Sequence, residues 1–230
     1  MSNLSLTVRL AARALARASL VHAYGHCSAR IDAERFLVCP AEPMGLIAPG
    51  AECTEVPVHG PLPEGVLGEV RLHQQIYRRR PEAGGVVRFM GPSAMALGAT
   101  STVPAMRHGF GTYFAPAVGL WDDVQLIRDD ARARGAIDAM GEGAGLLMRG
   151  NGAVTAGASL QEATVLAWYL EDMCRVELAA RAAGLIEAPA ISQAEAAERA
   201  TRAGRIVERM WDHLTAADPE TAPKEKGGAT

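Results

Sequence analysis

The sequence predicts an α/β domain with helices covering both faces of its sheet. Three observations carry this expectation. Short apolar runs alternate along the chain with segments whose apolar residues recur at helical spacing. Hydrophobic residues make up 49% of the 230, ample for one continuous core. Two Ser-x-x-Glu capping boxes, Ser159 to Glu162 and Ser192 to Glu195, mark the starts of long helices.

Taken in order, Leu4 to Ala23 reads as an amphipathic helix, with Leu4, Val8, Ala11 and Leu15 on one side and Arg9, Arg13 and Arg17 as an i,i+4 stripe facing water or another subunit. Ser28 to Ile31 and Arg35 to Val38 form a hairpin about a turn at Asp32 to Glu34. Pro40 to Pro63 lacks periodicity and is rich in Pro and Gly, so it is expected as a long loop. A helix from Glu64 to Arg80 should stop at Pro81, which disfavours helical geometry in the residue before it.

Gly85 to Phe89 is a buried strand, and Pro92 opens a short helix at its tolerated first position. Met106 to Tyr113 is expected as a strand, and Asp122 to Met140 as an amphipathic helix. Strands Leu146 to Met148 and Ala153 to Ala156 flank the turn Arg149-Gly150-Asn151-Gly152. The Ser159 box starts a buried helix to Ala183; Gly184 to Ile191 links it to a terminal helix running to Leu214. The polar residues from Ala217 to Thr230 are expected to be disordered. This divides the chain into a main domain over 1–184, a helical extension over 185–216 and a tail over 217–230.

Composition narrows the function. Lys plus Arg number 23 against 26 Asp plus Glu, and aromatics are 5%, so no charged or stacking platform for nucleic acid exists. No apolar run approaches the roughly 20 residues of a membrane span. Arg9, Arg13 and Arg17 interrupt the first apolar stretch where an export signal would be uncharged, so a cytoplasmic protein without a membrane or nucleic-acid partner is expected. Cys27, Cys39, Cys53 and Cys174 show no C-x-x-C spacing and read as free thiols.

Candidate chemistry gathers in a few places. Gly25-His26-Cys27-Ser28-Ala29-Arg30 sets an imidazole, a thiol, a hydroxyl and a guanidinium just before and along a strand. It is either an anion-holding turn or an ordinary helix-to-strand connection with Arg30 paired at the surface. Glu69 and His73 share one helix face, as a general base with its neighbour or as a surface pair. Arg88 is the sharper anomaly: a guanidinium in a buried strand needs a carboxylate, carbonyls or water beside it. Asn151 fits a left-handed turn position, and His22 and His108 are single histidines with a structural reading.

These motifs, with Glu69-x-x-x-His73-x-x-Ile76-Tyr77-Arg78-x-Arg80-Pro81, Gly85-Val-Val, Arg149-x-x-Gly152-Ala153-Val154 and Ser159-Leu160-x-Glu162-Ala163, resemble the class II aldolase/adducin family over residues 4 to 184. The resemblance implies a three-layer α/β/α unit around a largely antiparallel mixed sheet, assembled as a homotetramer. It also implies a divalent metal held by three histidines, with a Glu carrying the proton.

The departures shape the expected function. Where the family has His-x-His this chain reads Arg88-Phe89-Met90, and where it has its third His this chain has Asn151. A guanidinium cannot coordinate a cation, and Met and a lone amide are poor substitutes. Arg88 would keep positive charge where the ion stood. His26 replaces the family Asn, and Leu67-Gly68-Glu69 replaces a Ser-Ser-Glu run, so a sugar phosphate is disfavoured. The expectation is a lyase without metal or other cofactor, acting by aldol cleavage, decarboxylation or dehydration on a small non-phosphorylated carbonyl or carboxylic acid. Glu69, Arg88, His26, His73 and Asn151 are its expected catalytic residues, and Ser28, Arg30, His108 and Tyr113 would bind substrate. Two alternatives stand beside it: a non-catalytic binding or assembly module, and a lyase with a relocated metal on His22, His26, His73 or His108.

Overall fold

The computed structural model describes residues 2–221. Seven strands, β1 (His26–Arg30), β2 (Arg35–Val38), β3 (Thr54–Pro57), β4 (Gly85–Phe89), β5 (Gly119–Trp121), β6 (Gly145–Met148) and β7 (Gly152–Gly157), make one sheet. Their order is β3-β2-β1-β4-β7-β6-β5. Every neighbouring pair is antiparallel except β5 with β6, so the sheet is mixed and largely antiparallel.

The helices are α1 (Ser2–Arg17), α2 (Arg71–Arg79), α3 (Pro92–Ala99), α4 (Asp130–Met140), α5 (Leu160–Ala182), α6 (Gln193–Arg199) and α7 (Ile206–Thr215). Strand alternation assigns them to two faces. Cys27 reaches the Val8 carbonyl of α1, and Thr155 donates to the Ala163 carbonyl of α5, so α1 and α5 lie on one face. On the other, His26 and Ser28 meet side chains of α2, which packs beside α4. The result is the α/β/α arrangement expected, with β4 buried on both faces. Among the described residues no helix is long and apolar enough to cross a membrane.

Two glycines hold β4 in place. A Cβ on Gly85 would fall 2.2 Å from Leu160 Cα, so only glycine lets the strand pass under the start of α5. Gly152 has φ +81°, and a Cβ there would meet the Phe89 carbonyl at 2.1 Å.

Several expectations are corrected. The first helix ends at Arg17 rather than Ala23, because Ser19 turns to φ 59°. The expected loop 40–63 holds the edge strand β3, whose pairing with β2 needs no internal periodicity. Gly65 at φ +80° breaks the start of the helix expected from Glu64; a 3-10 turn over Gly68–Val70 leads into α2 instead. Met106 to Tyr113 forms no strand: the Gly111 N–H closes a turn on the His108 carbonyl, and a 3-10 turn follows at Gly111–Phe114. The helix expected from Asp122 begins at Asp130, with Asp129 accepting from the Arg132 N–H as its cap. Ahead of it, Gly119–Trp121 supplies the edge strand β5.

Ser159 caps α5, but the Glu162 carboxylate accepts from the Ala158 N–H rather than closing the box on Ser159. Ser192 and Glu195 do form a full capping box. The terminal helix then breaks where Gly204 and Arg205 adopt φ 69° and 55°, giving α6 and α7. α7 packs against α5 and α1.

The arginine stripe of α1 does not face water. Arg9 and Arg13 are 8% and 5% exposed. Arg13 grips Asp218 with two hydrogen bonds of 2.8 and 2.7 Å, and Arg9 does the same to Glu220 at 2.9 and 2.6 Å. Arg17 reaches Asp218 at 3.0 Å. The start of the expected tail is therefore tied down by charge that a local reading could not pair. Residues 222–230, also expected as disordered, lie outside the described residues.

Candidate active site

The site grows from the first residue of β1. His26 and Ser28 point to the same face of the sheet, where α2 presents His73 and Tyr77, four residues apart on one side of the helix. His26 Nδ1 lies 2.7 Å from His73 Nε2, and His73 Nδ1 lies 2.5 Å from Ser28 Oγ. Ser28 Oγ is 2.8 Å from the Tyr77 hydroxyl, which also donates to the Ser28 carbonyl at 3.0 Å. Phe36 stacks on the His73 ring and packs against Tyr77. His26 Nε2 is buried and has no hydrogen-bond partner among the described residues.

Burial, the His73 ring and Arg88 together hold His26 well below the ordinary imidazole value. Burial and Arg88 bring His73 down to about 3. Both rings are neutral at pH 7.

Antiparallel register sets Arg88 on β4 directly across from His26. Arg88 is 7% exposed, and its guanidinium donates from Nη2 to the Asn151 backbone carbonyl at 2.9 Å. Burial pulls its pKa down while the Glu69 carboxylate pushes it up. Glu69 sits in the 3-10 turn ahead of α2 and accepts from Arg128 Nε at 3.0 Å. His26, Glu69, Arg88 and Arg128 all border one cavity of about 270 Å³, walled in addition by Tyr24, Leu67 and Pro43. Two guanidiniums, the carboxylates of Glu69 and Glu42, and a neutral imidazole thus border a space sized for a small acid.

The structure brings His26, Glu69 and Arg88 together, with His73 directly behind His26. The remaining candidates sit elsewhere or act differently. Glu69 and His73 do not pair: His73 bonds His26 and Ser28, and Glu69 bonds Arg128. Asn151 spends its amide hydrogens on the Val124 and Gln125 carbonyls, so it anchors Arg88 rather than donating to substrate. Ser28 is fully buried behind His73.

Arg30 donates to the Ala83, Tyr77 and Arg80 carbonyls and lies 4.5 Å over the Tyr77 ring, closing the end of α2. His108 is 3.7 Å from Asp172 and edge-on to Phe110. Tyr113 donates to the Thr201 carbonyl and lines a second cavity with Arg80, Glu142, Glu162 and Arg202, at the other end of β4 from Arg88. None of these three borders the cavity of Arg88. Tyr77 and Arg128 were missed as site residues. Tyr77 carried a signal, its i,i+4 spacing from His73; Arg128 carried none, because 59 residues separate it from Glu69.

The divalent metal implied by the family resemblance does not suit this donor set. Bordering the cavity stand a single imidazole, that of His26, the carboxylates of Glu42 and Glu69, the latter already paired with Arg128, and the guanidinium of Arg88. Among the described residues no three His, Cys, Asp or Glu side chains cluster to hold a cation.

Comparison with known proteins bears on the same residues. The family model described as "Class II Aldolase and Adducin N-terminal domain" matches residues 7–178. A 3,4-dihydroxyphthalate decarboxylase of Terrabacter sp. (strain DBF63) is 30% identical over 178 residues, 70% of this chain and 73% of that one. Another from Arthrobacter keyseri is 28% identical over 194 residues, 77% and 78% of the two chains. Among solved structures, l-fuculose-1-phosphate aldolase from Thermus thermophilus superposes with a TM-score of 0.71 at 25% identity, covering 80% of this chain and 97% of that one. An aldolase II superfamily protein from Pseudomonas syringae gives 0.78 at 21% identity, with coverage of 93% and 91%. With most of its length matched and the architecture shared, the chain belongs to the class II aldolase/adducin family.

Proposed function

We propose that this chain is a lyase that decarboxylates a small, non-phosphorylated hydroxy acid, with Arg88 standing where its relatives' family uses a metal. The carrying observation is the shared cavity of Arg88 and Glu69, in which the guanidinium is pinned by the Asn151 carbonyl and still faces the open space. The decarboxylase names of two relatives support the choice of bond over aldol cleavage or dehydration.

In this mechanism Glu69 takes the proton of a substrate hydroxyl conjugated to the carbon that bears the carboxylate. The resulting oxyanion rests against Arg88, and Arg128 at the mouth meets the carboxylate. Glu69 returns the proton to that carbon. The carbon–carbon bond then breaks, CO2 leaves, and its electron pair returns to the conjugated oxygen, which takes a proton from water. Arg88 is preorganised for the charge that develops, a source of transition-state stabilisation that requires no reorganisation.

The test is CO2 release from 3,4-dihydroxyphthalate and from mono- and dihydroxybenzoates. Arg88→Met should lower kcat/KM at least about 100-fold, as loss of a preorganised oxyanion donor does. Unchanged turnover in that variant would refute the role of Arg88. Failure of every acid to turn over, or to raise the melting temperature, would leave the non-catalytic module as the better reading.

A further inference from the structure

The four side chains His26, His73, Ser28 and Tyr77 form a closed account of hydrogens. Each neutral imidazole brings one N–H and each hydroxyl one O–H. The Ser28 carbonyl has none to give, so the Tyr77 hydroxyl donates to it at 3.0 Å. Ser28 Oγ then donates to the Tyr77 oxygen at 2.8 Å and is left to accept from His73 Nδ1 at 2.5 Å. His73 Nε2 is therefore bare and accepts from His26 Nδ1–H at 2.7 Å. In the reverse order Ser28 donates to His73, and one of the two Tyr77 contacts has no hydrogen in it. Only the first order places a hydrogen in all four contacts. It leaves His26 Nε2 as a lone pair, buried and without a donor among the described residues, on a residue that borders the cavity.

We propose that His26 Nε2 is a fixed hydrogen-bond acceptor that selects acids carrying a hydroxyl, and that Tyr77 and Ser28 are positioning residues which set its tautomer through His73. The substrate half of this rests on the reading of the cavity as an acid site; the tautomer half does not. A buried acceptor left without a donor is penalised, and a substrate hydroxyl removes that penalty. A methyl ether of the same acid cannot, and so is discriminated against by the geometry of the relay rather than by cavity size.

Nitrogen NMR of the imidazoles in the ligand-free protein reads the tautomer directly. The expected spectrum shows His26 and His73 each protonated at Nδ1 and bare at Nε2; a proton on His26 Nε2 would overturn the proposal. In Tyr77→Phe the Ser28 hydroxyl loses its acceptor and turns to His73, so both rings should switch and His26 Nε2 should gain the hydrogen. Unswitched rings would remove Tyr77 from the role. Should that variant not fold, the wild-type spectrum decides alone. Binding of hydroxybenzoates and their methyl ethers is then compared by thermal shift, with the hydroxy acids expected to bind about 10- to 100-fold more tightly. Equal binding of both overturns the selectivity and spares the acid site, whereas binding of neither overturns the acid site and the substrate half with it.

Discussion

Arg88 and Arg30 are both guanidiniums near the same sheet, and their partners separate their jobs. Arg88 has one protein acceptor, the Asn151 carbonyl, and otherwise faces a cavity. Arg30 has four carbonyl acceptors, those of Ala83, Tyr77, Arg80 and Asp32, and an aromatic ring beneath it. Arg30→Met should therefore cost about 3 kcal/mol of stability, seen as a lower urea midpoint, because the carbonyls closing α2 lose a charged donor. Affinity for acids should be unchanged in that variant; a loss of affinity at constant stability would restore Arg30 to substrate binding. At this scale the sequence showed that Arg88 was anomalous and that His26 and His73 were polar loading in an apolar region. It could not show that His73 turns from Glu69 toward His26, because the choice depends on where β1 runs relative to α2.

The elements that carry the site are held by close backbone approach more than by local propensity. β4 brings Arg88 opposite His26 only because Gly85 lets it pass within van der Waals reach of the α5 backbone. Gly85→Ala drives a methyl into Leu160 Cα and should abolish soluble expression or lower the melting temperature by more than about 10 °C, an overpacking penalty with no flexible side chain to yield. A soluble variant of wild-type stability would show that β4 can shift. Long periodic elements such as α5 were legible because their caps and spacing are local signals. β3 and β5 were not, since an edge strand of 4 or 3 residues is defined by its partner. The same holds for Glu69, whose place in a 3-10 turn follows from Gly65 and from packing rather than from helical period.

Across the whole molecule, the first helix and the residues after α7 meet in an ion cluster of Arg9, Arg13 and Arg17 with Asp218 and Glu220. The hydrogen bonds from Arg9 take Glu220 down to about 2, and Arg13 holds Asp218 low against the opposing effect of its burial. A depressed carboxylate stabilises the fold above its unfolded pKa and loses that contribution as pH falls toward its folded one. The buried imidazoles act in the same sense from a higher starting point. Neutral in the fold and protonated below about 6.5 when unfolded, His26 and His73 each withdraw up to about 1.4 kcal/mol per pH unit on acidification. His26, His73 and Arg88 act on one another there, with Glu69, Glu42 and Arg128 the other charged groups bordering the cavity. Melting temperature should thus fall from about pH 6.5 downward and again below about pH 4.5. The pair Asp218→Asn and Glu220→Gln should be less stable at pH 7 and lose only the lower phase. A flat profile between about pH 6.5 and 5 would contradict the neutral relay.

By itself the sequence determined the class of fold, the family, the long helices and the presence of Arg88 inside a buried strand. Those are matters of residue identity and local period, and they need no partner to be read. Which groups face the cavity was decided only by tertiary structure: Glu69 with Arg128, Asn151 behind Arg88, and His26 with a lone pair left over. Each of these depends on pairing across long stretches of chain, where burial removes water as an alternative partner and forces every donor and acceptor to find another.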